Sequence, residues 1–266
     1  MPESALRRRH CLALALAPLA GVGSGARARA AGPPVLPVLS YYDYPPFSTG
    51  PGQGLTQSLL ALLQDRAGPL LPTLHEELLP RRRVAALVRR SDWTGLVPWV
   101  SPAWFQDPDR HRFIWTEPLM QDEDLVASLK SNPVDYQGPD SLKGLTLGGV
   151  FGHVYPETEA LVKTGELQRL DSFSQEACLR MLLMGRVQAI FISRSGLAGW
   201  RQRLPGFDAR LHLAETPRQR YQRRLLLSPL MPAEQSEWLR RTVAGLLQDP
   251  AWRELLQHHG VDPTLS

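Results

Sequence analysis

Short apolar runs alternate along this chain with leucine-rich stripes at helical spacing, so the hydrophobic period switches repeatedly between strand and helix. Val35 to Tyr41 predicts a first strand, stopped at Pro45-Pro46. Gly50, Gly52 and Gly54 punctuate the next loop, and Leu55, Leu59, Leu62 and Leu63 then line one face of a helix. Leu70 to Glu76 predicts a second strand, Val84, Leu87 and Val88 a second helix, and Gly95 to Val100 a third strand. A loop rich in proline and aromatics covers 102–109, and Glu123 to Leu129 reads as a connecting strand. A second set follows. Leu145 to Phe151 and Val187 to Ile192 read as strands, Pro156 to Lys163 as a helix, and Ser172 with Gln175 as a capping box for a helix running to Met184. Tyr221 to Leu227 is a last extended run, and helices at Ala233 to Leu247 and Pro250 to His258 close the chain. Two successive sets of this kind predict α/β layers.

The N-terminus alters how the charge is read. Arg7, Arg8 and Arg9 precede an uncharged stretch from Cys11 to Ala26, and Ala28-Arg29-Ala30 offers a small-x-small site. Residues 1–31 therefore predict an export signal cleaved near Ala30-Ala31, by a general or a twin-arginine route. The stretch is too short to span a bilayer. Cleavage would take Arg7, Arg8, Arg9, Arg27, Arg29 and Glu3 from 30 basic and 26 acidic residues, which erases the excess of positive charge. No nucleic-acid partner is then expected. Cys178 would be the one remaining cysteine, so no intrachain disulfide is expected despite an oxidising compartment.

Four segments carry a family resemblance. They are Tyr42-Asp43-Tyr44-Pro45-Pro46-Phe47, the stretch Asp109 to Leu119 (DRHRFIWTEPL), Leu147-Gly148-Gly149-Val150-Phe151-Gly152, and Leu182 to Ala189 (LLMGRVQA). In this order they resemble the bacterial extracellular solute-binding proteins of family 3, which feed polar solutes to ABC importers. The resemblance implies a two-lobed α/β fold (type 2 periplasmic binding fold) with a ligand cleft between lobes joined by two crossing strands. It places residues 32–123 and 223–266 in one lobe and 124–222 in the other. It also implies a monomeric periplasmic protein that captures a small polar or anionic solute by lobe closure, an inner-membrane ABC permease as partner, no cofactor and no catalysis. A sensory or orphan receptor module of the same fold is an alternative, and a periplasmic dehydratase-like enzyme is another, with Glu117, Glu157 or His153 as its acid or base.

Ligands of open α/β sheets sit beyond the carboxyl ends of the strands, which directs attention to Tyr41 to Tyr44, Trp99, His153 and Ser193. Arg110 matches the arginine that pairs with the ligand carboxylate in amino-acid binders, where a planar fork gives two charge-assisted bonds. Tyr41, Tyr44, Trp99 and Trp104 offer walls for a ligand, or else core packing. Tyr41 and Tyr42 alternate along a strand, so one of them should be core. His153 stands at a turn leading into a helix, where relatives have Ser or Thr. Ser193 occupies the place of the acid that grips the ligand's amino group, so an ordinary α-amino acid is expected to bind poorly. Arg83 is singled out because relatives often face an arginine into the cleft from that helix. The remaining basic clusters, Arg81 and Arg82 and Arg218, Arg220, Arg223 and Arg224, read as solvated faces or hinge-proximal salt bridges. Histidine spacing gives no metal site, and Cys178 with Met181 and Leu182 reads as core.

Overall fold

The computed structural model describes residues 34–263, and the predicted export signal lies outside them. Strands β1 (Val35–Ser40), β2 (Thr73–Leu78) and β3 (Leu96–Val100) pair in parallel around β1. Helix α1 (Leu55–Ala67) follows β1 and buries Leu55, Leu59, Leu60 and Leu63. Helix α2 (Arg81–Leu87) follows β2 and buries only Val84. Two residues, Ile114–Trp115, form β4, and the long strand β5 runs over Met120–Leu129.

The second half repeats the scheme. Strand β6 (Thr146–Val150) leads through α3 (Pro156–Thr164) to β7 (Gln168–Ser172), then through α4 (Gln175–Leu183) to β8 (Ala189–Ser193), and β6 pairs in parallel with both other strands. Short helices α5 (Leu197–Arg203) and α6 (Phe207–Arg210) and strand β9 (Leu211–Leu213) follow. Strand β10 (Gln219–Leu227) then leads to α7 (Ala233–Leu246) and α8 (Pro250–His258).

One strand path joins the halves, in the order β2-β1-β3-β10-β5-β8-β6-β7. The first part of β10 pairs antiparallel with β5, from Gln219↔Asp124 to Arg223↔Met120. Its second part pairs with β3 and β4 after a register shift between Arg224 and Leu226. Such an irregularity bends a strand and raises its twist, which re-aims β10 from one half to the other.

Several local expectations change. The cap of α4 is Ser174, whose hydroxyl accepts from the Ala177 amide, rather than Ser172. The Ser172 hydroxyl instead donates to the Ser174 carbonyl at 2.9 Å. Strand β7 and helix α5 had no counterpart in the hydrophobic pattern. The sequence of β7, Gln168-Arg169-Leu170-Asp171-Ser172, lies at a sheet end and shows no apolar run. Cys178 is buried in the core as expected, and burial pushes its thiol up to about 12.

Candidate functional site

The carboxyl ends of the parallel strands in both halves meet at one gap. The chain leaves β1 at Tyr41, leaves β6 at Phe151 and leaves β8 at Arg194, and residues from all three exits line the space. Contacts cross it directly. Arg81 of α2 donates to the Gly152 carbonyl at 3.1 Å, and Arg82 lies over the Phe151 ring at 4.1 Å. Gly152 has φ 86, and a Cβ there would come within 2.9 Å of the Arg82 side chain, so a glycine permits both the turn and the approach. At the other end, a Cβ added to Gly199 would sit 2.3 Å from Pro45 Cβ, and Tyr44 stacks on Trp200 at 6.2 Å.

Behind these contacts lies an inner chamber of only about 60 Å³. Its floor comes from β5 and β10. The side chains of Asp122 and Asp124 on β5 share a face with those of Tyr221 and Arg223 on β10, as their register requires. The Arg223 Nε donates to Asp122 at 2.7 Å, one terminal nitrogen donates to the Trp99 carbonyl at 2.9 Å, and the other to the Tyr221 hydroxyl at 3.0 Å. Its guanidinium also lies over Phe47 at 4.6 Å and Tyr42 at 5.0 Å. The Asp122 side chain, fully buried, accepts further bonds from the Ser195 hydroxyl at 2.6 Å and the Ser195 amide at 3.1 Å.

A second charged group sits alongside. Arg218 donates to Asp124 at 2.6 Å and also to Glu157, and it lies over the Phe191 ring at 4.4 Å. Tyr221 donates to the other Asp124 oxygen at 2.9 Å. Burial works against the charged form of Arg218, but Asp124 and Glu157 together raise its pKa. Arg218 and Arg223 are thus matched by buried or half-buried carboxylates. Burial likewise holds the Tyr42, Tyr44 and Tyr221 hydroxyls well above the ordinary tyrosine value, so all three stay protonated.

His153 forms the wall between this chamber and the space outside it. Its ring meets Tyr41 edge-on at 6.0 Å and Tyr155 at 6.5 Å. Burial, then the charges of Arg81, Arg169, Arg218 and Arg223, push its pKa down to about 3, so the imidazole is neutral at neutral pH.

Five of the residues singled out from sequence line the gap: Tyr41, Tyr44, Trp104, His153 and Ser193. Three do not. The Trp99 side chain is fully buried in the core, stacked on Trp252 at 6.2 Å with its indole donating to Thr56 at 3.0 Å. Only its backbone reaches the chamber floor, from a residue with φ 67, a strained value for tryptophan. Arg110 is exposed in a turn with φ 59, and Asp107 explains why. The buried Asp107 carboxylate collects the amides of His111, Arg112 and Phe113 and the Trp115 indole at 2.8–3.2 Å, which curls the segment around the acid. Arg83 is exposed as well, and Arg81 is the residue of α2 that lines the gap. Two positions along a helix differ by about 200°, so the wrong arginine of a triplet points almost oppositely. Tyr41 and Tyr42 are both buried at the gap, with hydroxyls 3.1 Å apart, because β1 ends at Ser40 and strand alternation stops there.

Missed from sequence were Arg81, Asp124, Arg218, Tyr221 and Arg223. The signal for three of them, Asp124, Tyr221 and Arg223, was the two-residue spacing of Asp122 with Asp124 and of Tyr221 with Arg223, which puts each pair on one face of a strand. Asp124 is the direct register partner of Ser193, so a carboxylate stands one strand away from the serine. Among the described residues no group of three or more His, Cys, Asp or Glu side chains is placed to hold a metal.

No family model matches the chain, and no curated protein matches it. Solved structures do. An ancestral arginine-binding protein bound to arginine aligns at TM-score 0.68 and 12% identity, over 85% of this chain and 97% of that one. A putative binding component of an ABC transporter from Wolinella succinogenes DSM 1740, complexed with lysine, aligns at TM-score 0.65 and 16% identity, over 86% and 96%. An ancestral amino acid-binding protein described as a precursor of cyclohexadienyl dehydratase aligns at TM-score 0.65 and 13% identity, over 85% and 95%. The chain has the two-lobed type 2 periplasmic binding fold, the fold of family 3 solute-binding proteins.

Proposed function

We propose that this protein is a periplasmic solute-binding protein that captures a small solute between its two halves and delivers it to an ABC-type permease. The observation that carries this reading is the gap itself. Loops at the carboxyl ends of strands in both halves converge on it, and among the described residues β5 and β10 are the strands that pass between the halves there. Residues 32–123 with 223–266 would then move as one lobe against 124–222, with bending in β5 and β10. Arg81 and Arg82 on one side, with Gly152 and Phe151 on the other, would act as the latch. Two of the similar structures hold arginine and lysine, which supports a small ligand here.

Binding is favoured over catalysis. Glu157 is engaged with Arg218, His153 is held neutral by its surroundings, and Glu117 is exposed beside Arg224. The two glutamates are thus taken up by arginines, and a histidine pushed down to about 3 is too weak a base for proton abstraction near neutral pH. Standard α-amino acids are expected to bind weakly, since Asp124, which would have to grip the ammonium group, is already paired with Arg218.

The reading is tested by thermal-shift screening of the purified protein against amino acids, polyamines, sugars and carboxylic acids. At least one class should raise Tm in proportion to the logarithm of its concentration above Kd. A flat response across every class would end the solute-binding reading.

A further inference from the structure

Outside His153 the gap opens into a second chamber of about 280 Å³, near the lower end of the range of small-molecule sites. The inner chamber, by contrast, offers only about 60 Å³. The walls of the outer chamber are apolar and come from both halves. Leu78, Leu79 and Pro80 lie on one side, and Val150, Phe151 and Phe173 on the other. Three of these are unusually open for their type: Phe173 is 91% exposed, Leu78 49% and Phe151 46%. Apolar side chains gathered at the rim of one cavity mark a surface that something covers.

The charge in this chamber is as specific as its walls. Among the described residues Arg81 makes no ion pair; its two terminal nitrogens donate to the carbonyls of Gly152 at 3.1 Å and Trp104 at 3.3 Å. Its plane is further held over Tyr41, 5.6 Å from the ring centre. Two neutral carbonyls orient the fork without cancelling its charge, and three of its five N–H groups stay uncommitted. Asp43 is the one acid on the lining, exposed, and it also faces a neighbouring surface hollow that holds Arg203. The chamber therefore keeps an oriented, uncompensated guanidinium beside an apolar slot.

Resting on the solute-binding reading, we infer that the solute is a carboxylate with an apolar body of one ring or a short branched chain. Its carboxylate pairs with Arg81, and its body lies between the Leu78–Pro80 segment and Phe151 and Phe173. A planar fork meets a planar carboxylate with two parallel bonds, which selects this head group. The body covers Phe151 and Phe173 when the halves close.

Isothermal titration calorimetry with 3-phenylpropionate, phenethylamine and L-phenylalanine tests the assignment. We expect 3-phenylpropionate to bind best of the three. Arg81→Gln should weaken it by about tenfold or more, and Phe173→Ser by about threefold. Phe173 is so exposed that its variant keeps the fold even where Arg81→Gln does not. Tighter binding of L-phenylalanine or phenethylamine, or 3-phenylpropionate binding indifferent to both substitutions, overturns the assignment. Binding of some other solute class in the screen, with none of 3-phenylpropionate, also overturns it while leaving the solute-binding reading intact. A screen with no binder at all removes both.

Discussion

The inner and outer chambers share Tyr41, Tyr44, Arg81, His153 and Gln175, yet they are opposites in chemistry. The inner one is crowded with charge, and the charge on its floor is spent internally: Arg223 on Asp122, Arg218 on Asp124 and Glu157. The outer one has few polar groups, but its arginine faces no carboxylate partner. Charge density alone therefore misleads as a guide to a binding site. A guanidinium with every partner in place locks the strands that cross between lobes, whereas one oriented by carbonyls is free to meet a ligand.

The largest effect should come from unbalancing the inner chamber. Arg223→Met leaves Asp122 buried and unpaired, and should lower unfolding free energy by about 3–5 kcal/mol in urea titrations. Adding Asp122→Leu should restore much of the loss, because the unpaired charge goes with it. If Arg223→Met alone proves neutral, the inner chamber is not the lock described here.

Next in size is Asp107, which organises the turn that carries Arg110. Although burial pushes its carboxyl up, the Trp115 indole and the amides of Arg112, His111 and Phe113 hold it below the ordinary range. A depressed acid stabilises the fold above its unfolded value of about 3.9 and loses that contribution as pH falls through its lower folded value. Asp107→Asn should cost about 1–3 kcal/mol at pH 7 and flatten the acid limb below about pH 4. An unchanged acid limb would show that other carboxylates control it.

His153 sharpens the contrast from the wall between the chambers. Folded it titrates at about 3, unfolded near 6.5, so the unfolded chain binds the extra proton as pH falls below about 6.5. Stability should therefore drop between pH 7 and 5 more steeply in the native protein than in His153→Gln. Identical slopes would mean that the imidazole is charged in the fold. The smallest effect is expected at Arg110: replacing it by alanine should change stability by no more than about 0.5 kcal/mol and leave ligand affinity untouched.

Much of the scaffold was legible from periodicity. The runs at Val35, Gly95 and Val187 and the leucine stripe from Leu55 all became the elements they predicted, since each buries a continuous apolar face. The site was harder to see for definite reasons. Asp122 and Asp124 alternate with Gln121 and Glu123, so the start of β5 looks like a solvated segment, and only pairing with β10 shows the aspartates turned inward. The expectation that Arg110, Trp99 and Ser193 would face one gap fails because Asp107 curls one away and the core takes another. Ser193 alone of the three lines it, while Arg81, Arg218 and Arg223 supply the charge.

Hydrogen exchange with and without a solute found by screening tests most directly whether that molecule is clamped by both lobes. Amides at 78–82 and at 150–155 should slow together on binding, although they belong to opposite sides of the opening. Protection confined to one side, with the other exchanging as before, would contradict capture between the halves.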